Sequence, residues 1–272
     1  MTAALLDVRP ARAFEAGHRA GAANIPLEEL DERIHELPPS GTALTVVDAD
    51  AARATRAAEW LRARGRWSVS TGAGMEGAPG EPIERGPSHV RLWRPHALLE
   101  EALPIIAEAW GGLDGRRAAD LACGSGRDAV FLALAGLQVD AFDVLPDALA
   151  KAAALAARNG VSLRTRRVDL ENAAALHGDS FDLVVVFHFL HRPLLRVLRR
   201  AVRPGGFLIY ETFLTAQREQ YGKPARDAHL LRPGELRGAF AGWRSIIDRE
   251  GEASAGRITA QWSGRRPIDE GA

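Results

Sequence analysis

Residues 120–128 read Asp-Leu-Ala-Cys-Gly-Ser-Gly-Arg-Asp, and the reading of this stretch decides the fold of the larger part of the chain. Arg117-Ala118-Ala119 lead into it, and Ala129-Val130-Phe131-Leu132-Ala133-Leu134 follow. A short apolar run, a glycine-punctuated turn and an apolar repeat at helical spacing predict strand, loop, helix. Gly124 and Gly126 permit a tight turn and let a ligand approach the backbone with no Cβ in the way. The first amides of the helix are then left pointing at that ligand.

Asp120 indicates the charge of the ligand. A Gly-x-Gly pair is weak by itself, and Gly124 to Ala129 also fits a dinucleotide fingerprint with alanine in its third place. A carboxylate just ahead of that loop repels a pyrophosphate, whereas it attracts the ammonium and sulfonium of S-adenosylmethionine. Gln138-Val139-Asp140-Ala141-Phe142-Asp143 reads as a second strand ending in an acid about 20 residues on, where a ribose-binding carboxylate belongs. Nicotinamide enzymes share that acid. Asp120 therefore carries the choice of S-adenosylmethionine over NAD.

The chain has 272 residues, 46% of them hydrophobic, enough for one large or two small domains. A formal net charge of +0 argues against a general nucleic-acid or anionic-membrane binder. No apolar run approaches the roughly 20 residues needed to span a bilayer, and residues 1–7 lack the order of a signal peptide. The single Cys123 excludes an intramolecular disulfide framework and a CxxC metal site. A cytoplasmic enzyme without a metal is the expectation.

The front of the chain alternates strand and helix. Residues 4–9 and 43–47 read as buried strands, residues 51–64 as a helix, and residues 67–70 as a last strand. Leu27, Leu30, Ile34 and Leu37 have helical spacing and end at Pro38-Pro39. Four blocks, Leu-Leu-Asp-Val-Arg at 5–9, Gly-His-Arg-Ala-Gly-Ala-Ala-Asn-Ile-Pro at 17–26, Arg-Ala-Thr-Arg-Ala-Ala-Glu-Trp-Leu at 53–61 and Gly-Ala-Gly-Met-Glu at 72–76, resemble the rhodanese-like domain. Active members of that family carry a nucleophilic cysteine at the start of a loop ending on the arginine matched by Arg53. Asp48 stands in that place here. A carboxylate cannot hold a transferable sulfur, so the resemblance implies an inactive domain that packs or interacts. Rhodanese-like domains normally carry a further strand and helix before the Leu-Leu-Asp-Val-Arg block, so the expectation is a domain that is either truncated or whose start is set too late. The expected domains are a rhodanese-like domain at 1–76, a Pro- and Gly-rich linker at 77–88 and a second domain at 89–272.

Past the linker, His89 to Arg94 form an aromatic-basic patch, expected to anchor the linker or to close over the ligand. An amphipathic helix is expected from His96 to Trp110, interrupted by Pro104. The remainder alternates as a doubly wound sheet should, with helices at 146–158 and 192–202. Phe181 to Phe189 form a near-continuous apolar strand, as expected for one buried on both faces. A strand at 207–211 and a closing hairpin, at 245–249 and 257–262, complete the pattern.

The blocks Asp-Leu-Ala-Cys-Gly-Ser-Gly-Arg-Asp at 120–128, Ala-Phe-Asp at 141–143, Arg-Val-Asp-Leu at 167–170, Arg-Pro-Gly-Gly at 203–206 and Pro-Gly-Glu-Leu-Arg-Gly-Ala-Phe-Ala-Gly-Trp at 233–243 resemble the class I S-adenosylmethionine-dependent methyltransferases. Within them the chain is most similar to the tellurite-resistance group. The resemblance implies an α/β chain in which a small rhodanese-like domain precedes a Rossmann-like, seven-stranded methyltransferase domain. It also implies roles for particular residues. Asp120 should meet the methionine amino group, and Ala122, Cys123, Gly124, Ser125, Gly126 and Arg127 should line the methionine. Asp143 should take the ribose, Val144 and Leu145 should flank adenine, and Asp169 and Leu170 should lie at its amino group. His188 should face the sulfonium or the acceptor, and Phe187 beside it should line the cofactor.

Methyl transfer from a sulfonium is an in-line displacement, and a base is needed only when the acceptor arrives protonated. His188, His191, Tyr210 and Glu211 come from adjacent strand ends and are the candidates. His188 and His191 lack the further ligands a metal would require. Arg192, Arg196, Arg199 and Arg203 share a helical face, read as solvated, with an anionic-acceptor site as the alternative. The long segment 212–229, with Tyr221 and Lys223, is expected to contact the acceptor, a small molecule such as a thiol or a chalcogen oxyanion. The competing reading is a non-catalytic S-adenosylmethionine-binding or interaction protein. In either case, a protein partner or a homodimer through the rhodanese-like domain is envisaged.

Overall fold

A computed structural model describes residues 3–72, 82–172, 176, 178, 180–254 and 256–268. The chain divides into two compact units, Met1–Arg94 and Pro95–Ala272.

The front unit is built on a parallel sheet of order β3-β1-β4-β5, with β1 at Ala4–Asp7, β3 at Ala22–Asn24, β4 at Ala43–Val47 and β5 at Ser68–Thr71. A small antiparallel pair joins β2 (His18–Arg19) to β6 (Ile83–Glu84). The helices are α1 (Ala11–Ala16) and α2 (Ala51–Arg62). Ala54, Ala57, Ala58 and Leu61 give α2 one buried face, and Asp50 caps it by accepting the Ala52 amide. The helical spacing at 27–37 resolves into two short 3-10 turns, Leu27–Glu29 and Ile34–Glu36, instead of one continuous helix. Ile83 and Glu84, expected in the linker, form β6, and Leu92 is buried in the front core, so this unit extends to Arg94. Most of the Gly-Ala-Gly-Met-Glu block and of the linker lies outside the described residues.

The second unit holds a seven-stranded sheet of order β12-β13-β11-β10-β7-β8-β9. Its strands are β7 (Arg117–Leu121), β8 (Gln138–Asp143), β9 (Arg164–Arg167), β10 (Phe181–Phe187), β11 (Val202–Phe213), β12 (Arg244–Ser254) and β13 (Arg257–Arg265). The first five are parallel, and β13 runs antiparallel to both β11 and β12. Around the sheet lie α3 (Ala97–Trp110), α4 (Arg127–Leu134), α5 (Pro146–Arg158), α6 (Arg192–Ala201), α7 (Thr215–Tyr221) and α8 (Glu235–Ala239).

Side-chain alternation along the strands separates two apolar layers. Ala118, Ala141, Leu183, Val185, Phe187, Phe207 and Ile209 pack with α3 and α4. Ala119, Leu121, Phe142, Val184, Val186, Leu208 and Tyr210 pack with α6 and α8. The order of strands reverses between β7 and β10, so their carboxyl ends open a crevice, the place where open α/β sheets bind ligands.

Two segments are more regular than their sequence suggests. The 203–206 turn is absorbed into β11, where Gly206 leaves no room for a side chain against the Asp182 carbonyl. The long segment after Phe213 folds into α7 and a 3-10 turn at Asp227–His229.

Candidate active site

The organising loop is held from both flanks. The Cys123 amide donates to the Phe142 carbonyl at 2.9 Å, and the Gly126 amide to the Cys123 carbonyl at 2.9 Å. Ala122 stands at φ +57, a left-handed conformation uncommon outside glycine. Beyond the end of β10, His188 does the same at φ +54. Two non-glycine residues in that region, at the two strand ends bordering the crevice, mark it as a site where structure over-determines strain. Gly126 is required for packing: a Cβ there would lie 2.4 Å from the Ala152 Cβ of α5.

Asp120, Asp143, Phe187 and Glu211 all fall on the α3–α4 face, since each lies two residues beyond an apolar residue of that layer. Asp120 is 2% exposed, and its Oδ2 has no hydrogen-bond partner among the described residues. Burial, then the neighbouring Asp128 and Asp143 carboxylates, hold its carboxyl well above the usual range, with the Ala129 amide acting in the opposite direction. Asp143 is engaged at both oxygens, accepting the Gly124 amide at Oδ2 and the Leu145 amide at Oδ1, each at 2.9 Å. Each oxygen keeps a further lone pair for a ligand hydroxyl. Immediately beyond it Val144 and Leu145 are 50% and 59% exposed, an apolar ledge suited to a flat ring.

The other expected cofactor residues fall around this centre. Ser125 is half-buried between the two glycines, and Arg127 is half-buried at the first position of α4. Asp169 is exposed and turns the chain by accepting the Glu171 amide at 3.0 Å, while Leu170 is buried in the α6–α8 layer. Burial, then Asp120 and Asp143, push the Cys123 thiol far up, which removes it as a nucleophile at neutral pH.

The candidate bases separate. Tyr210 is 0% exposed in the opposite layer, and its hydroxyl donates to the Phe189 carbonyl at 2.8 Å. Burial pushes its pKa up, so it stands outside the crevice as a structural residue. His191 is half-buried ahead of α6, where its carbonyl accepts the Leu194 amide. Glu211 is buried and accepts the Thr259 hydroxyl at 3.0 Å. His188 lies in the crevice, stacked on Phe213 at 4.8 Å with Arg257 Nη1 3.3 Å from its Nε2. Burial, then His96 and Arg257, push its pKa down to about 3, so it is neutral at pH 7 but a weak base.

The sequence reading missed two residues of this site. His96, just ahead of α3, donates its amide to Asp128 Oδ1 at 2.8 Å, and its Nδ1 lies 2.7 Å from Asp128 Oδ2. Its ring stacks on Phe187 at 4.1 Å and meets His188 edge-on at 4.9 Å. The arginine row of α6 is structural wherever its contacts are resolved. Arg192 clamps Glu235 and Arg199 donates to the Ala239 and Ala241 carbonyls, whereas Arg203, expected on the same helical face, lies in β11 and pairs with Asp182. Among the described residues no group of three or more metal-ligating side chains converges, and no helix is long and apolar enough to cross a membrane.

Comparison with known proteins agrees with this fold. A family model described as a methyltransferase domain matches residues 118–206, and one described as a rhodanese-like domain matches residues 1–74. An uncharacterised protein of Schizosaccharomyces pombe is 26% identical, covering 85% of this chain and 82% of its own. That span is longer than either unit, so the likeness runs through both. A ubiquinone biosynthesis O-methyltransferase of Bordetella pertussis is 29% identical over 52% of this chain and 66% of its own. Against several other curated relatives the chain likewise spans only about half of their length. The crystal structure of TehB from Haemophilus influenzae superposes with a TM-score of 0.52 at 17% identity, covering 63% of this chain and 62% of that one, a likeness of fold. The chain therefore carries a rhodanese-like domain followed by a methyltransferase domain, and the strand order and the loop after β7 agree with the second.

Proposed function

We propose that this chain transfers the methyl group of S-adenosylmethionine to a small-molecule acceptor, a thiol or a chalcogen oxyanion among the chemistries the crevice admits. The observation that carries the reading is the buried, unpartnered Oδ2 of Asp120 at the end of β7. An ammonium group satisfies that oxygen and relieves the repulsion among Asp120, Asp128 and Asp143. A pyrophosphate does neither.

The donor set fits the rest of the cofactor. Asp143 accepts ribose hydroxyls, Val144 and Leu145 flank adenine with Asp169 beside them, and residues 122–127 line the methionine. Bound S-adenosylmethionine supplies a methyl group made electrophilic by the sulfonium. The protein orients the acceptor along the line of displacement and excludes water. Glu211 and neutral His188 border the acceptor side, with segment 212–229 above them as the acceptor contact. The protein acts in the cytoplasm, on neither nucleic acid nor membrane, and its rhodanese-like domain serves as a contact surface for a partner protein or a second copy.

Calorimetric titration of S-adenosylmethionine into the parent and Asp143→Ala, with NAD as the control ligand, tests this reading. Micromolar binding corresponds to about −8 kcal/mol, and loss of Asp143 should remove about 2 kcal/mol or more of it. NAD binding as tightly as S-adenosylmethionine, or no binding by the parent, would reject it.

A further inference from the structure

Between the glycine loop and the end of β10 sits a histidine that the proposed reaction has not yet used. Asp128 grips His96 twice, through the backbone amide and through Nδ1, so the ring cannot turn without breaking a 2.7 Å contact. Phe187 fixes the plane of the ring from one side, its own plane tilted only 4° from it. A carboxylate at Nδ1 selects the tautomer whose proton lies there, which leaves the Nε2 lone pair available. No hydrogen bond from the described residues occupies Nε2. The neighbouring ring, His188, competes poorly for a proton because burial and Arg257 hold it neutral. One orienting carboxylate, one locked imidazole and one open nitrogen at the methyl-transfer crevice make up the arrangement of a general base and its orienter.

We propose that His96, oriented by Asp128, is the general base of the reaction and that the acceptor is a molecule carrying a proton on its nucleophilic atom, a thiol or an aromatic hydroxyl. This rests on the methyl-transfer reading above. The acceptor X–H gives its proton to Nε2, and the electron pair left on X forms the X–CH3 bond. The bonding pair of the breaking S–CH3 bond stays on sulfur, which leaves as a neutral thioether. The imidazolium formed faces Asp128 on α4, which stabilises it, and His188 beyond β10, with Arg127 and Arg257 flanking that ring and opposing it. Its proton then passes to solvent. A chalcogen oxyanion already ionised at neutral pH needs no such base, so the dyad favours the thiol or hydroxyl class over it.

The test uses the full chain, the variants His96→Asn and Asp128→Asn, and two pairs of acceptors. Benzyl mercaptan and 4-methylphenol are protonated at neutral pH; 4-nitrothiophenol and pentafluorophenol are ionised. In the His96→Asn variant the side-chain amide can still donate to Asp128, so it keeps the tie between α3 and α4 but cannot take a proton. The Asp128→Asn variant keeps the shape of the carboxylate but no longer holds the tautomer.

His96→Asn should bind S-adenosylmethionine within about threefold of the parent, and both variants should lose at least about 100-fold in turnover of a protonated acceptor at saturating cofactor. They should lose less than about threefold with its ionised counterpart, and the residual rate should rise with pH as the acceptor ionises in solution. Whether the thiol or the phenol pair is turned over assigns the acceptor atom. Long-range nitrogen NMR of the ligand-free parent should show His96 protonated at Nδ1 and bare at Nε2. Equal losses on both members of a pair, or a proton resident on Nε2, would overturn the assignment and leave a structural tie. Binding of S-adenosylmethionine without turnover of any of the four acceptors would also overturn it, with the cofactor site intact. Absence of cofactor binding would reject the methyl-transfer reading itself.

Discussion

Replacing Asp120 with asparagine should change how stability depends on pH and how tightly S-adenosylmethionine binds, in opposite directions. The folded chain holds this carboxyl well above its usual range, through burial first and the Asp128 and Asp143 charges next. The unfolded chain loses the same proton near pH 4. Within that window the native state binds more protons than the unfolded state. Stability therefore falls as pH rises from the unfolded value through the folded one, and it levels off above. Each pH unit of the window costs about 1.4 kcal/mol. Asparagine has no such window. Melting temperatures of parent and variant should lie close together at about pH 4 and separate as pH rises, with the variant ahead by about 2–4 °C for each kcal/mol.

Carboxylates away from this cluster cancel in the comparison, so the difference reports Asp120 together with its coupling to Asp128 and Asp143. Ligand binding runs the other way, because the ammonium requires the ionised form. Binding to the parent should release a proton and tighten with pH, whereas the variant loses a charge-assisted contact of about 1.5–3 kcal/mol, on the order of 10- to 100-fold in Kd. Thermal melts across the pH range, with calorimetry in two buffers of different ionisation enthalpy, measure both. Parallel melting curves and no proton release would mean that the carboxylate is already ionised and paired in the free protein. The electrostatic case for this ligand would then fail.

Gly126→Ala should destabilise by about 2 kcal/mol or more in urea unfolding. The new Cβ meets the Ala152 Cβ at 2.4 Å and its Cα at 2.9 Å, at a backbone φ of +79 that side chains rarely adopt. An unchanged midpoint would show that α5 yields freely. The front unit should form no thiocyanate from thiosulfate and cyanide, because Asp48 stands where a sulfur carrier is needed. Production above background by the purified chain would refute that.

What the sequence made legible was local. Asp120, Gly124, Gly126 and Asp143 belong to one strand-loop-helix-strand unit, so spacing alone places them together. Tyr210 could have been sorted as well. It sits between Ile209 and Glu211 on one strand, and alternation puts it in the layer opposite to theirs. His96 and Asp128 lie 32 residues apart, and their contact depends on how α3 docks on α4. No periodicity reports that, and before the fold is known His96 reads only as the residue ahead of a helix. The length of segment 212–229 pointed to a special role but concealed α7, since a helix of seven residues has too few turns to establish a period.

In the front unit, the loop that by resemblance to rhodanese-like domains would hold the nucleophile is ordered by its own ion pairs. In that loop the cation is Arg53 and the place of the sulfur is taken by Asp48. Arg53 Nε donates to Asp48 Oδ2 at 3.1 Å, and its two terminal nitrogens reach Glu28 at 2.7 and 3.0 Å. The Asp50 amide closes the turn on Asp48 Oδ1 at 2.9 Å. The guanidinium of Arg53 is thus neutralised by two carboxylates of its own unit, Asp48 and Glu28. Restoring a cysteine at position 48 would remove the buried partner but leave Glu28 on the guanidinium, so the loop would still present little positive charge to an anion. A charge closed in on itself at this loop leaves little positive field for an anion, which supports the proposal that this unit serves as a contact surface.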